Sequence, residues 1–372
     1  MSDVEIIIVG GGIAGASAAY ELAIDHKVLL LEMEDQAGYH STGRSAALFT
    51  ENYGNSIIRK LAKISKSFLE SPPDGFSEYP LLSKRGALFI ARSDQLDVLN
   101  SELQTIQSMG GEVQKIEGDE LLQYIPHLNR EYAVAGIYDP HSKDIDVSGL
   151  HQGFLKEAKL RGGSILMGSR VLRLRPLADG WLVETEEEEF SCKILINAAG
   201  AWAEEIGVLA GAKKIALSPM KRTAFLFDVP EDWVVQNWPI AIDMEEKFYF
   251  KPDSGKLLGS PADETPVLPQ DARPDDFDIA MGIERIQAAL NFEIRHLSHK
   301  WAGLRSFVPD RTPVAGFDPV VKNFFWLAGQ GGYGIKTSPA LAVCCGALIR
   351  EGCFPKFIEE FGLSAEMLSP KR

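Results

Sequence analysis

The hydrophobic pattern of the first 32 residues predicts a strand, a turn, a helix and a second strand. Residues 5–10 (EIIIVG) form a continuous run rich in β-branched residues, and residues 27–32 (KVLLLE) form a second apolar run. Such runs are typical of strands buried on both faces of a parallel sheet. Residues 13–26 (IAGASAAYELAIDH), which lie between the two runs, have helical character. The pattern therefore predicts a βαβ unit.

The rest of the chain alternates between helical and strand-like patterns. Helices are predicted over 57–70, 96–109, 147–162 and 275–292, and Asp146 is the expected N-cap of the third. Residues 324–352 predict a strand, a glycine-rich turn and a final helix. Further strands are predicted over 86–91, 133–139, 164–176, 180–186, 193–200, 223–229, 247–252 and 256–262.

Length and composition favour a globular protein of two domains. A chain of 372 residues is too long for one core of ordinary size, and 45% hydrophobic residues argue against disorder. The formal net charge of −14 repels phosphate backbones, so no nucleic-acid partner is expected. Four cysteines without C-x-x-C spacing predict no metal site and no disulfide framework, and they favour a cytoplasmic location. No segment reaches the ~18 apolar residues of a membrane span, and peripheral contact with the inner membrane stays open.

A glycine motif after the first strand predicts a dinucleotide site. Gly10, Gly12 and Gly15 permit a tight turn and bring a pyrophosphate close to a helix N-terminus. Glu32, at the end of the next strand, can accept hydrogen bonds from ribose hydroxyls and would repel the 2′-phosphate of NADP. A second glycine-rich turn, 329–334, opens a helix whose N-terminus can stabilise negative charge on a reduced flavin. FAD is therefore favoured over NAD.

Several segments resemble the FAD-dependent D-amino acid oxidase-like superfamily, which includes glycine oxidases and sarcosine oxidases. They are VGGGIAGASAAYELA, ILINAAGAWA and FFWLAGQGGYG, and the resemblance covers nearly the whole chain. GYHSTGRSAA, PLLS, DIDVSGLHQGF, WAGLRSFV and QGGYGI are similar to segments of the bacterial D-arginine dehydrogenases. The resemblance implies an α/β fold with a Rossmann-type FAD-binding domain (1–60, 145–215 and 301–372). A substrate domain on an antiparallel or mixed sheet (61–144 and 216–300) is interleaved with it.

The resemblance also implies which residues surround the cofactor. His40 is the only local candidate for a covalent tether, but its motif is shared with non-covalent relatives, so non-covalent FAD is expected. The implied FAD-binding residues are Gly10, Gly12, Ile13, Ala14, Gly15, Glu32, Gly43, Arg44, Ser45, Val171, Ala198, Gly200, Trp202, Gly331, Gly332, Tyr333, Gly334, Ile335 and Thr337.

By the same resemblance, two arginines and two tyrosines are expected to hold an amino acid substrate. Arg222 and Arg305 match positions that bind the substrate carboxylate, a task that suits the planar fork of arginine. Tyr53 and Tyr249 match tyrosines that orient and cover the substrate. No strong base is needed, because a neutral amine can expel a hydride to the flavin and leave an imino acid that hydrolyses to a 2-oxo acid and ammonia. The residues expected to line the substrate pocket are Leu48, Ala87, Ile240, Ile242, Gly332 and Lys336.

Two of three departures from the D-arginine enzymes change the expected substrate. Ala87 stands where those enzymes have a glutamate that pairs with the guanidinium, and Leu48 stands where they have a histidine. Both changes favour D-amino acids with uncharged, mainly apolar side chains, unless Glu51 or Asp243 replaces the missing glutamate. Lys336 stands where they have glutamine, and it is read either as a cation near the flavin edge or as a solvent-facing side chain.

Other functions remain open at this point. The alternatives are an oxidase of glycine, sarcosine or another N-substituted amino acid, a 2-hydroxy acid dehydrogenase, and a non-catalytic flavin-bearing subunit. Retention of Arg222, Arg305, Tyr53 and Tyr249 argues against the last of these. The expected partner is a small amino acid, while the electron acceptor (oxygen, a quinone or an electron-transfer protein) and the oligomeric state stay undetermined.

Overall fold

The computed structural model describes residues 2–372. The helices are α1 (Ile13–Leu22), α2 (Ser56–Glu70), α3 (Leu96–Ser108), α4 (Val147–Leu160), α5 (Ala203–Leu209), α6 (Asp276–Ala289), α7 (Gly334–Arg350) and α8 (Lys356–Glu359). The strands are β1 (Ser2–Asp3), β2 (Ile6–Val9), β3 (Val28–Leu31), β4 (Leu48–Phe49), β5 (Leu82–Lys84), β6 (Ala87–Ala91), β7 (Gln114–Glu117), β8 (Ala135–Asp139), β9 (Lys143–Ile145), β10 (Ser164–Leu166), β11 (Arg173–Leu177), β12 (Gly180–Glu184), β13 (Glu189–Cys192), β14 (Ile194–Asn197), β15 (Ser218–Phe227), β16 (Ile240–Asp243), β17 (Tyr249–Asp253), β18 (Lys256–Ser260), β19 (Thr265–Pro266), β20 (Leu297–Phe307), β21 (Val314–Phe317) and β22 (Phe324–Ala328).

The first domain is built on a sheet with the strand order β10-β3-β2-β14-β22-β21. All its neighbouring strands are parallel except β21 and β22, and β2, β3 and β22 are buried along their whole length. They are apolar throughout because helices α1, α4 and α7 pack on one face and α5 with the β11–β13 sheet packs on the other. The predicted βαβ unit is thus confirmed as β2, α1 and β3.

The second domain is built on a mixed sheet with the order β19-β15-β18-β17-β16-β6-β8-β7, and β20 also pairs with β15. The pair β16–β6 is parallel, whereas the other pairs are antiparallel. One face of this sheet buries Phe225 and Phe250 in an apolar core with α6. The opposite face carries Ala87, Arg222 and Tyr249, which alternate with those core residues along the strands. This second face meets the first domain.

Three predicted domain boundaries fall inside regular elements, and the one at 144 divides β9. The boundary at 60 divides α2, which packs as one unit against α7 of the first domain, and β5 pairs with β9 on the same side. The boundary at 300 divides β20, which pairs with β15 over its whole length. We therefore propose that the first domain extends to the end of β5 and resumes after Phe307. Helix α4 begins after Asp146, whose side chain accepts a hydrogen bond from the Gly149 amide as an N-cap should.

None of the helices in residues 2–372 combines the length and the apolar character that a membrane span requires.

Candidate active site

A cavity of 720 Å³ lies where the two domains meet. Val9 and Leu31, at the carboxyl ends of β2 and β3, line it on the side of the first domain. Arg222, Tyr249 and Arg305 line it on the side of the second domain. Ligands of open parallel sheets bind at this edge, so the cavity lies where a dinucleotide site is expected.

The turn between β2 and α1 is closed too tightly for side chains. A Cβ atom at Gly15 would lie 1.9 Å from the Gly10 carbonyl oxygen, and one at Gly10 would lie 2.5 Å from that of Ala198. Glu32 accepts a 2.6 Å hydrogen bond from the Gly11 amide through Oε2 and also lines the cavity. The turn therefore directs the N-terminus of α1 and a carboxylate toward the cavity, which is the arrangement that binds a pyrophosphate and a ribose.

Unpaired polar atoms inside the cavity indicate a polar ligand. His40 Nδ1, Glu204 Oε2, Ser306 Oγ and Gln330 Nε2 are buried without a hydrogen-bond partner among the described residues. All four residues line the cavity. A buried polar atom that stays unpaired costs about 1–3 kcal/mol, so a ligand with donors and acceptors along its length stabilises this site. The lining thus fits FAD.

Most of the predicted FAD-binding residues meet in this cavity. Gly15 and Gly43 lie behind the wall, since Gly15 packs on Gly10 and the Gly43 amide donates to the Gly38 carbonyl. Thr337 is internal to α7, where its hydroxyl donates to the Tyr333 carbonyl. The predicted residues that line the cavity are Gly10, Gly12, Ile13, Ala14, Glu32, Arg44, Ser45, Val171, Ala198, Gly200, Trp202, Gly331, Gly332, Gly334 and Ile335.

Arg44 lines the cavity, but its guanidinium is already engaged. It donates to the carbonyl oxygens of Ala272 (2.9 Å) and Ala302 (3.0 Å) and pairs with Asp271, all in the second domain. Arg44 therefore ties the two domains together beside the cofactor cavity.

Sequence reasoning missed Thr42, Glu204 and Ser306 of the cavity wall, and it considered His40 only as a covalent tether. Thr42 accepts a 3.0 Å hydrogen bond from the Ile13 amide and so caps the N-terminus of α1 from a distant loop. His40 pairs with Glu34 at 2.8 Å and packs 4.6 Å from the Trp202 ring. Thr42 and His40 both lie in GYHSTGRSAA, and the small and hydroxyl residues of this segment were the sequence feature that could have indicated ligand binding. No sequence feature pointed to Glu204 or Ser306.

The two predicted clamp arginines differ in how many hydrogen bonds and ion pairs they form with other protein residues. Arg222 is 8% exposed; its Nε donates to the Asp263 carbonyl at 2.8 Å and its Nη2 donates to Glu264 Oε1 at 3.1 Å. Burial, with Arg305 as a neighbouring cation, lowers the pKa of Arg222. The guanidinium of Arg305 has no hydrogen bond or ion pair with any residue that the structure describes, and it lies against Gly332. Arg305 is therefore available to an incoming carboxylate.

The two predicted tyrosines flank this pair of arginines. Tyr249 lines the cavity and lies opposite Ile242 in the register of β17 and β16. Tyr53 lies in the segment between β4 and α2, with its ring centroid 5.6 Å from that of Tyr333. Burial and the nearby Glu246 carboxylate raise the pKa of Tyr53 well above its usual value, so its hydroxyl stays a donor.

Three of the predicted pocket residues, Ala87, Ile240 and Ile242, form one patch of the second sheet, whereas Leu48 lies on β4 in another sheet. Ala87 lies opposite Ile240, and Phe89 lies opposite Ile242, so both pairs share the face that carries Tyr249. Ala87 is fully buried and Ile240 is 4% exposed. These residues, with Leu48, Tyr53 and Lys336, are not among the described residues of the cavity wall. The structure therefore brings none of these residues to the cavity wall, although Ala87, Ile240 and Ile242 share a sheet face with Tyr249, which lines it.

Lys336 is buried, which rules out its interpretation as a solvent-facing side chain. It is 3% exposed, and its Nζ donates at 2.9 Å to both the Thr50 and the Tyr53 carbonyl oxygens. Burial lowers the pKa of Lys336 to about 7, and the Arg59 cation acts in the same direction. The amino group therefore lies beneath the segment that carries Tyr53.

The two acids considered as substitutes for a glutamate at position 87 are both engaged elsewhere. Glu51 pairs with Lys66 at 2.7 Å. Asp243 is fully buried and accepts hydrogen bonds from Tyr132 and Gln95. Neither carboxylate is free to receive a cationic substrate side chain.

Comparisons with known proteins agree with the cavity's chemistry. The sequence model of the DAO family, described as FAD dependent oxidoreductase, matches residues 5–348. The mitochondrial dimethylglycine dehydrogenase of Rattus norvegicus is 25% identical over 354 residues, which cover 89% of this chain and 41% of that protein. The chain thus spans about two fifths of that relative's length.

Solved structures share the fold. Glycine oxidase from Geobacillus kaustophilus aligns with a TM-score of 0.83 and 22% identity, covering 94% of this chain and 95% of that one. L-alpha-glycerophosphate oxidase from Mycoplasma pneumoniae, solved with FAD bound, aligns with a TM-score of 0.84 and 20% identity, covering 94% and 95%. The predicted mixed α/β two-domain fold is confirmed, while the particular similarity to D-arginine dehydrogenases stays a prediction.

Proposed function

Because the chain belongs to the DAO family of FAD-dependent oxidoreductases, we propose that it oxidises D-amino acids with uncharged, mainly apolar side chains. The products are imino acids, which hydrolyse to 2-oxo acids and ammonia. The observation that carries this proposal is the unpaired guanidinium of Arg305, which lines the cavity together with Arg222 and Tyr249. A cation without a protein partner in a domain cleft is suited to an anionic group of the substrate.

In the proposed complex, the arginines bind the α-carboxylate. Arg305 offers both sides of its fork, and Arg222 has donors left beyond those given to Asp263 and Glu264. Tyr249 lies beside them and excludes water from the same space. With the carboxylate fixed, rotation of the substrate is restricted and its α-carbon is held in one orientation.

The same cations favour the reactive form of the substrate amine. An ammonium group near Arg222 and Arg305 is destabilised by like charge, so its pKa falls and the neutral amine becomes more populated. FAD, when bound, takes up the two electrons and the hydrogen that leave the α-carbon. Arg222 and Arg305 therefore contribute to binding and to deprotonation without acting as bases.

The proposed side-chain preference rests on the patch formed by Ala87, Ile240 and Ile242. A guanidinium placed there would lose its water, and neither Glu51 nor Asp243 would pair with it, because both carboxylates are engaged elsewhere. A leucine-sized group would gain contact instead. The D configuration rests on the resemblance of the substrate-site segments to bacterial D-arginine dehydrogenases.

Oxidation of an N-substituted glycine is a second candidate function. It is favoured by the match to dimethylglycine dehydrogenase and by the fold shared with glycine oxidase. Such substrates carry the same carboxylate and would use the same arginines, but they would leave the patch around Ala87 unfilled.

Anaerobic mixing with a panel of substrates tests the proposal. The panel contains D-leucine, D-methionine, D-arginine, L-leucine, sarcosine and a 2-hydroxy acid, and the FAD absorbance reports reduction. We expect D-leucine and D-methionine to bleach the flavin fastest. Faster bleaching by sarcosine would favour the second candidate, and bleaching by the 2-hydroxy acid alone would exclude amine oxidation. No bleaching by any compound would indicate a non-catalytic flavin-bearing subunit.

A further inference from the structure

A carboxylate of the protein itself lies at the predicted carboxylate clamp. Glu264 Oε1 accepts a 3.1 Å hydrogen bond from Arg222 Nη2 and one of 2.8 Å from Arg311 Nη2. Glu264 Oε2 accepts a 3.0 Å hydrogen bond from Arg311 Nη1. Glu264 thus binds Arg311 through both oxygens and Arg222 through one.

The surroundings keep this carboxylate ionised. Burial alone would raise the pKa of Glu264, but the Arg311 and Arg222 guanidinium groups outweigh burial and lower it. Arg311 also packs its guanidinium 3.8 Å from the centroid of the Phe307 ring, which orients its fork toward Glu264. The negative charge at Glu264 is therefore permanent around neutral pH.

We propose that Glu264 is an internal competitor for the substrate-carboxylate site and that Arg311 is the positioning residue that restrains it. This inference rests on the proposed function, in which a substrate carboxylate binds at Arg222 and Arg305. The Glu264–Arg311 pair then sets how tightly any carboxylate binds, whatever side chain the substrate carries.

The charges at the site explain why Glu264 and Arg311 both affect the binding of a carboxylate. Arg222, Arg305 and Arg311 carry three positive charges, and Glu264 carries one negative charge. Without Arg311, the Glu264 carboxylate has Arg222 and the unpaired Arg305 as its nearest cations, and it would occupy the space of the substrate carboxylate. Without Glu264, the donors of Arg222 other than Nε have no protein partner among the described residues.

A purely structural role for Glu264 predicts the opposite result. If Glu264 oriented Arg222, its removal would weaken carboxylate binding. Arg222 is already oriented by the bond from its Nε to the Asp263 carbonyl, and Asp263 is fixed in turn by the Thr223 amide at 2.6 Å. Loss of the Glu264 carboxylate therefore leaves Arg222 in place.

Binding of acetate to the FAD-loaded protein tests the inference without turnover. The perturbation of the flavin absorbance gives a dissociation constant, and acetamide serves as the uncharged control. Since a hydrogen bond to a charged group is worth about 1.5–3 kcal/mol, Arg311→Met is expected to weaken acetate binding roughly tenfold or more. Glu264→Gln is expected to tighten it, and the double variant is expected to bind acetate as tightly as Glu264→Gln alone. Arg295→Met, whose partner Glu293 lies on the surface, is the matched control and should not change it.

The outcomes separate this inference from the proposed function. Suppose that Arg305→Met abolishes acetate binding. If Glu264→Gln then weakens binding, or if the double variant binds as weakly as Arg311→Met, the hypothesis that Glu264 competes with the substrate is wrong, while the proposed carboxylate clamp is supported. If acetate and acetamide bind alike in the wild type and in Arg305→Met, no carboxylate binds at these arginines and both proposals fail.

Discussion

The Tyr53 hydroxyl donates a 2.6 Å hydrogen bond to Glu246, which lies on the turn between β16 and β17. Buried Asp243 organises this turn, because its Oδ1 accepts hydrogen bonds from the amides of Glu245 and Lys247 at 3.2 Å each. Lys336 holds the carbonyl of Tyr53 from below. The two domains are therefore joined across the cleft, next to the predicted carboxylate clamp.

Breaking this contact is expected to weaken substrate binding. In Tyr53→Phe the hydroxyl and its hydrogen bond to Glu246 are lost, so the segment that carries Tyr53 is held less firmly over the substrate and KM is expected to rise, by about tenfold at most. Glu246→Gln keeps an acceptor and is expected to have a smaller effect. Glu187→Gln, in the exposed turn between β12 and β13, is the control. Steady-state kinetics check this, and an unchanged KM in Tyr53→Phe would show that the contact does not cover the substrate.

The two clamp arginines are expected to contribute unequally. Removal of one partner of a desolvated charge pair costs about 2–5 kcal/mol, which corresponds to a loss of roughly 30-fold to several thousand-fold in kcat/KM. Arg305→Ala is expected to lie in this range and Arg222→Ala below it, because Arg222 shares its donors with Asp263 and Glu264. Both variants should retain FAD, as Arg295→Ala should. A loss below threefold in both would show that the carboxylate is held elsewhere.

The cofactor is expected to leave the denatured protein intact. The purified protein should be yellow, and heat or acid should release FAD because the cavity supplies hydrogen-bonding groups rather than a tether. Glu32→Ala removes the acceptor of the Gly11 amide and is expected to lower the affinity for FAD. Released flavin is measured by absorbance and mass. Flavin that stays with the denatured chain, and is lost in His40→Ala, would show covalent attachment at His40.

The local elements were predictable because their signals are local. Each of these signals predicted a helix or a strand from a stretch of fewer than about 30 residues. They are the glycine motif, the apolar run at residues 27–32 and the N-cap residue Asp146. The polar contacts of the site were not predictable, because they join distant segments: Arg44 pairs with Asp271, and Arg222 with Glu264. Lys336 gave no sequence signal for its burial, since its partners are backbone carbonyls of the Thr50–Tyr53 segment.

Buried Lys336 predicts a rise in stability with pH. Its pKa is about 7 in the folded protein, against about 10.4 in an unfolded chain. Between these values the unfolded chain binds more protons, so the free energy of unfolding should increase with pH, by at most about 1.4 kcal/mol per unit. Below pH 7 the Lys336 amino group is charged in both the folded and the unfolded chain, so the full cost of burying its charge lowers the stability of the folded protein. Asp139 and Glu51 oppose the shift, and Arg59 favours it.

Lys336→Met is expected to remove this slope. Urea denaturation at pH 7 and pH 9.5 measures the difference in the free energy of unfolding between the variant and the wild type. Lys322→Met, at an exposed position, is the control. The stabilisation by Lys336→Met relative to wild type should be largest at pH 7 and should shrink at pH 9.5. An equal difference at both values would show that Lys336 keeps its proton throughout.

The last prediction concerns the side chain of the substrate. The wild type is expected to prefer D-leucine and D-methionine to D-arginine, since an unpaired buried cation costs several kcal/mol and filling an apolar pocket contributes ~1.5–3 kcal/mol. Ala87→Glu places a carboxylate beside Ile240 and is expected to shift the ratio of kcat/KM values toward D-arginine, whereas Ala87→Gln, of equal size, should not. Glu246, which binds the Tyr53 hydroxyl, is a further acid near the site. Glu246→Gln in the wild-type background shows whether its carboxylate binds a cationic substrate side chain in place of a glutamate at position 87. If the wild type already prefers D-arginine, or if Ala87→Glu and Ala87→Gln behave alike, the patch formed by Ala87, Ile240 and Ile242 does not select the side chain.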